Sequence, residues 1–163
     1  MKYILGVDPG IHGAVAVLTQ DGQLVEVFDM PTMEVKVGKA TKNRISPELL
    51  AAELRGRAEY TAAAYIEAVS ASPQMGVTSS FAFGEALGII KGVLAAMHIP
   101  VTLVPPAKWK RDINLNQSKD GSRAKAIALW PAQAAEFKRV RDDGRAESAL
   151  IAEWGRNASA GRV

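Results

Sequence analysis

The chain opens on short apolar runs cut by turn residues. Tyr3 to Val7 is a buried-strand pattern that stops at Asp8-Pro9-Gly10. Gly13 to Leu18 forms a second strand, and Asp21-Gly22 signals a hairpin into a third, Leu24 to Phe28. Pro31 to Ile45 breaks the pattern: it is polar and basic, and reads as a long loop or an irregular strand. Ser46-Pro47-Glu48 then starts a helix running to about Arg57, with Ser as the cap and Pro in the first turn. Ala62 to Val69 is a short strand, Gly76 to His98 a long helix, and Ile99 to Val104 a strand ended by Pro105-Pro106. Helices follow near Lys108 to Asp112, Gly121 to Trp130 and Asp143 to Arg156. The order β-β-β-α-β-α-β-α-α predicts an α/β fold. Its mixed five-stranded sheet combines a three-stranded antiparallel meander with two parallel strands, and helices cover both faces.

Composition narrows this little but usefully. A chain of 163 residues with 48% hydrophobic and 23% charged residues fits one globular domain, residues 1–163, and is too short for a two-lobed phosphotransferase of the actin and sugar-kinase type. The absence of cysteine excludes disulfide scaffolds, thiolate zinc sites and cysteine nucleophiles. With no signal-like N-terminus and no run of 18 apolar residues, a cytoplasmic protein without a membrane partner is expected.

Four carboxylates stand in informative places. Asp8 ends the first strand, and Glu67 lies inside the apolar segment Ala64-Tyr65-Ile66-Glu67-Ala68-Val69. An acid in such a segment is costly unless paired or bound to a cation. If their strands are parallel neighbours, both lie at the strand carboxyl ends, where open α/β sheets place ligands. Asp143 and Glu147 are four apart at the start of the last helix, about 40° from each other around its axis, and repel unless a cation lies between them. Asp142 is about 140° from Glu147, so the metal falls to Asp143 and a capping or supporting role to Asp142. An all-carboxylate cluster without cysteine suits a hard ion, Mg²⁺ or Mn²⁺, and two such ions can drive phosphodiester hydrolysis.

The net charge is +3, but its distribution matters more. The first 30 residues hold one lysine and four acids, whereas basic residues gather at Lys36, Lys39, Lys42 and Arg44, at Lys108, Lys110 and Arg111, at Lys119, Arg123 and Lys125, and at Lys138, Arg139, Arg141 and Arg145. Basic groups around a carboxylate site offset its repulsion of a polyanion. His12 and His98 carry no assigned role. Gly84, Gly88 and Gly92 share one face of the long helix and point to a close approach, by the sheet or by a second subunit. Glu85 and Lys91 argue against that helix spanning a membrane.

The segment Gly6-Val7-Asp8-Pro9-Gly10-Ile11-His12-Gly13-Ala14 resembles the opening strand of RuvC-like Holliday junction resolvases, which have an RNase H-like fold. Ile66-Glu67 before a long helix resembles the second acidic position of that family. Asp143, Ala146, Glu147 and the run Ala149-Leu150-Ile151-Ala152 resemble its C-terminal acidic helix, particularly in phage and phage-like members. The resemblance implies a homodimeric Mg²⁺-dependent endonuclease, with Mn²⁺ able to substitute and two ions per site. It would nick four-way DNA junctions symmetrically in the cytoplasm of a bacterial or phage-infected cell. Asp8, Glu67, Asp143 and Glu147 would be the catalytic metal ligands. Lys110 and Lys119 would contact DNA or assist catalysis, with Lys108, Arg111 and Arg123 on the DNA face. Phe81 would stack at the junction centre, Phe83, Trp130 and Trp154 would lie in the core, and the long helix would lie in the dimer interface. Many bacterial members close the site with acids, or a histidine and an acid, three apart; here the spacing is four and the last acid is Glu147. Other branched DNA, RNA, or binding of branched DNA without cutting are the alternative functions.

Overall fold

A computed structural model describes residues 2–68, 70, 74–115, 118 and 120–163. The five-stranded sheet is built from β1 (Tyr3–Asp8), β2 (Ala14–Thr19), β3 (Leu24–Asp29), β6 (Thr61–Glu67) and β7 (Val101–Val104), in the order β3-β2-β1-β6-β7. The pairs β1/β2 and β2/β3 are antiparallel, while β1/β6 and β6/β7 are parallel. This is the expected meander plus two parallel strands.

Pro31 to Ile45 departs from expectation. It forms a separate antiparallel ribbon, β4 (Thr32–Val37) and β5 (Ala40–Ile45), paired from Thr32↔Ile45 to Val37↔Ala40. Almost every residue of the ribbon is at least partly exposed, so no apolar alternation marks it. Its turn does: Gly38, with φ 63°, takes the position that a type II′ hairpin turn reserves for glycine.

Alternating side chains along the central strands build one apolar layer on each sheet face. On one face, Leu5, Val7, Val15, Val17 and Ile66 pack with Leu50 and Leu54 of α1 (Pro47–Arg55) and Ala86, Ile90 and Leu94 of α2 (Val77–Ala96). Helix α1 starts as read: the Ser46 hydroxyl accepts the Leu49 amide at 3.2 Å. On the other face, Ile4, Ala14, Ala16 and Tyr65 pack with Trp109 of α3 (Pro106–Asp112), Ala126 of α4 (Gly121–Leu129) and the Ala149-Leu150-Ile151-Ala152 run of α5 (Asp143–Ser159). Trp130 and Trp154 belong to this second layer, as expected.

The two long helices dock differently. Helix α5 buries nine residues, whereas α2 buries only Ala86, Ile90 and Leu94. Gly84, Gly88 and Gly92 meet nothing within 4 Å, so the sheet is not what they approach. Helix α2 is long and apolar enough to cross a membrane. It is nonetheless a sheet-packed helix whose Glu85 pairs with Arg44 of β5 at 2.8 Å.

Candidate active site

The site starts from two parallel strand ends. Val7 of β1 lies beside Ile66 of β6, so the next residues, Asp8 and Glu67, are neighbours at the carboxyl edge. Glycine then lets α5 lie directly on this edge. A Cβ on Gly6 would sit 2.0 Å from the Ser148 carbonyl oxygen, and one on Gly144 would sit 3.1 Å from Asp8 Oδ2 and 2.6 Å from the His12 carbonyl oxygen. The close seat brings the first turns of α5, with Asp143 and Glu147, over Asp8. These three acids line a cleft of about 1070 Å³ together with Lys110, Arg111 and Ser122. Glu67 lies behind them, buried, and accepts the Trp109 indole N–H at 3.0 Å.

The electrostatics follow from this placement. Burial pushes the Asp8 carboxyl from 3.8 up to about 7, and the nearby Glu147 and Glu67 carboxylates add to the rise, while the Gly10 amide and Lys110 oppose it. Glu67 is raised as well, chiefly by burial and then by Glu147, against the Trp109 hydrogen bond and Lys110. The two outer acids carry internal cations. Lys110 Nζ donates to Glu147 Oε1 at 3.0 Å, joined by the Ser122 hydroxyl at 3.2 Å, and Arg123 Nε donates to Asp143 Oδ1 at 2.7 Å. Among the described residues no three acidic or histidine side chains close on one point as folded. The donor set still fits a hard divalent ion: it is all carboxylate oxygen, and Glu147 and Glu67 lie near enough to Asp8 to add to the rise that burial imposes on it.

Asp142 is 1% exposed and turned to a different task. It accepts the Arg139 amide at 2.7 Å and pairs with the Arg139 guanidinium, so it caps the 3₁₀ turn Val140–Asp142 rather than α5.

The basic and aromatic residues divide by position. Lys110 and Arg111 line the cleft, Arg111 also pairing with Asp112 at 2.9 Å, and Arg123 sits at its Asp143 rim. Lys108 does not line it: its ammonium pairs with Asp112 at 2.8 Å and lies over the Trp154 ring. Arg139 and Arg145 are likewise paired, Arg139 with Asp142 and Arg145 with Asp29 and Glu136, so two of the four cations expected at 138–145 brace the fold. Lys119 lies outside the described residues. Phe81 is 71% exposed on the first turn of α2. Phe83 corrects the core expectation: it lines the cleft and belongs to neither apolar layer. His12 also lines the cleft. Trp109 was not legible as a site residue. Its position between Lys108 and Lys110 was visible, but its bond to Glu67, 42 residues away in sequence, is set only by folding.

No protein-family model matches the chain. The chloroplastic Holliday junction resolvase MOC1 of Chlamydomonas reinhardtii is 33% identical over 92 residues, which are 55% of this chain and 10% of that protein. The chain thus spans about a tenth of this curated relative. Among solved structures, Thermus thermophilus RuvC in complex with a Holliday junction substrate superposes with a TM-score of 0.62 at 16% identity, covering 99% of this chain and 98% of that one. A second T. thermophilus RuvC structure gives a TM-score of 0.56, also at 16% identity, covering 98% and 97%. The mixed sheet with carboxylates at its central strand ends is therefore the RNase H-like fold of RuvC.

Proposed function

We propose that this protein is a metal-dependent endonuclease that resolves four-way DNA junctions as a homodimer. One observation carries the reading: Asp8, Asp143 and Glu147 line one basic-rimmed cleft, with Glu67 buried behind them, on a fold shared end to end with a junction-bound RuvC. The same four side chains would hold Mg²⁺ or Mn²⁺, two ions per site. Bound there, the ions supply the Lewis-acid chemistry of phosphodiester hydrolysis.

The protein's own residues do the rest. The Trp109 indole fixes the orientation of Glu67. Lys110 offers an ammonium beside the acids, offsetting their repulsion of a phosphate, and Arg111 extends that charge along the wall. Phe81, exposed at the start of α2, would stack on an unpaired base at the junction centre. Lys36, Lys39 and Lys42 on the β4–β5 ribbon supply further phosphate contacts.

The homodimer reading rests on α2. Its outer face is apolar, and Gly84, Gly88 and Gly92 present bare backbone at four-residue spacing to open space. That surface suits close crossing by the same helix of a second copy, and a two-fold dimer matches two symmetric cuts.

The deciding experiment offers purified protein with Mg²⁺ a synthetic four-way junction, a Y-fork and a linear duplex. Paired nicks in the junction at a rate well above the other two are expected. Equal cutting of all three substrates would make it a general nuclease. Tight junction binding with no cutting would make it a binding module.

A further inference from the structure

The four acids are not held alike. Among the described residues Asp8 and Glu67, on the strands, make no hydrogen bond to a cation, whereas both acids of α5 do: Glu147 to Lys110 and Asp143 to Arg123. Arg123 is the better fixed of the two cations. Its guanidinium is 11% exposed and spreads over three acceptors, Asp143, the carboxylate of Asp120 and the Lys138 carbonyl oxygen at 3.2 Å. Those carboxylate partners are loosely held. The Asp143 side chain is 50% exposed and that of Asp120 69%, so each bond faces water and is easily exchanged. The Arg139–Asp142 pair on the same turn is the contrast: Asp142 is 1% exposed and locked into the backbone.

Arg123 holds Asp143 by one bond, from Nε, while its other nitrogens reach Asp120 and the Lys138 carbonyl; at the rim of a polyanion-binding cleft a DNA phosphate is a stronger competitor, because it can take two of the fork's N–H groups at once. We propose that Arg123 is a substrate-released latch on Asp143. In the DNA-free protein the guanidinium occupies a carboxylate the metal site needs. A phosphate entering beside Ser122 draws it off, so the ion loads onto the protein–DNA complex in preference to the free protein. By linkage, bound ion and bound DNA then strengthen each other by the same factor. The inference rests on the metal-dependent reading above and adds an order of assembly to it.

The latch gives a signature of opposite signs. Arg123→Gln frees Asp143 but removes a phosphate contact. In the DNA-free protein, Mn²⁺ titrated by electron paramagnetic resonance should bind Arg123→Gln about fivefold tighter than wild type. In EDTA, the same variant should bind a synthetic four-way junction several-fold more weakly. Adding Asp143→Asn should abolish the Mn²⁺ gain. Arg123→Lys, which keeps the charge without the fork, should fall between, and decides by the same criterion if Arg123→Gln does not fold. Mn²⁺ binding that is unchanged or weaker in these variants overturns the latch and makes Arg123 a positioning residue that stays on Asp143. Wild-type junction cutting with Mg²⁺ separates the two readings. If wild type cuts and the gain is missing, the latch alone fails. If wild type neither cuts nor binds junctions yet the gain appears, the resolvase reading fails while the competition for Asp143 stands.

Discussion

Helices α5 and α2 lie on opposite faces of one sheet, and both carry glycines, yet the glycines stand in different surroundings. On α5, Gly144 is pressed against the Asp8 turn, just as Gly6 of β1 is pressed against the α5 backbone. The contact is finished within the chain, and its product is an acid cluster. On α2, Gly84, Gly88 and Gly92 touch nothing within 4 Å, and most of the helix is exposed although apolar. Glycine lowers helix stability by nearly 1 kcal/mol per residue relative to alanine. Three glycines where no neighbour approaches are the ground on which a second copy is proposed there. On that proposal the α5 side is the completed one, and the α2 side awaits a partner.

The largest effect belongs to the completed side. Asp8→Asn should lower junction cutting in Mg²⁺ by about a thousandfold or more, on the scale of losing a group that acts directly on the reacting atoms, while leaving junction binding in EDTA nearly intact. The same substitution should act in the other direction on the fold. The Asp8 carboxyl binds its proton more tightly folded than unfolded, so without metal the folded state loses stability as pH rises from about 4 to about 7. At about 1.4 kcal/mol per pKa unit, that rise costs a few kcal/mol by pH 8. Thermal unfolding in EDTA should show Asp8→Asn melting above wild type at pH 8 and close to it at pH 4. A variant less stable than wild type at pH 8 would mean the acids are not crowded in solution.

Gly6→Ala comes next. The new methyl would fall 2.0 Å from the Ser148 carbonyl oxygen, which is backbone in a fully packed helix and has nowhere to go. A loss of about 3 kcal/mol in urea unfolding is expected, at the upper end of overpacking costs. Trp109→Phe is smaller. It removes the indole donor from Glu67, whose pKa must then climb further. The acidic limb of the cutting–pH profile should move to higher pH, with about a tenfold slower rate at neutral pH, the scale of losing a hydrogen bond to a charged group. An unmoved limb would separate Glu67 from the rate.

What the sequence disclosed follows where local pattern and place in the fold coincide. Asp8 was legible because an apolar strand stops on it, Glu67 because it interrupts one, and Asp143 with Glu147 because helical spacing puts them on one face. The meander and its parallel extension were legible for the same reason. The ribbon at 32–45 was not, because pairing with neither face buried leaves no alternation to read; only the Gly38 turn marks it. Arg145 looked like a DNA contact because charge is visible in sequence, while Asp29, 116 residues away, is brought to it only by the fold; the acids that hold Lys108 and Arg139 lie within one helical turn of them and were open to a local reading. Trp109 is the converse, an apolar-looking residue whose one polar atom serves the site.

The smallest predicted effect is the sharpest test of the comparison, because its sign differs between two measurements. Gly88→Ala places a methyl where the single chain has open space, and alanine favours a helix by nearly 1 kcal/mol. If α2 had no partner, the variant would simply be more stable. If the glycine face is where two copies cross, the same methyl holds the helices apart. Sedimentation should then show the dimer dissociating at about tenfold lower dilution than wild type, while the dissociated chain melts at or above the wild-type monomer temperature. Gly144→Ala allows no such split, since a Cβ there meets the His12 carbonyl oxygen at 2.6 Å within the same chain and must cost stability whether or not a second copy is present. A Gly88→Ala protein that dimerised as tightly as wild type would leave the α2 glycines without a partner and remove the ground for calling that face an interface.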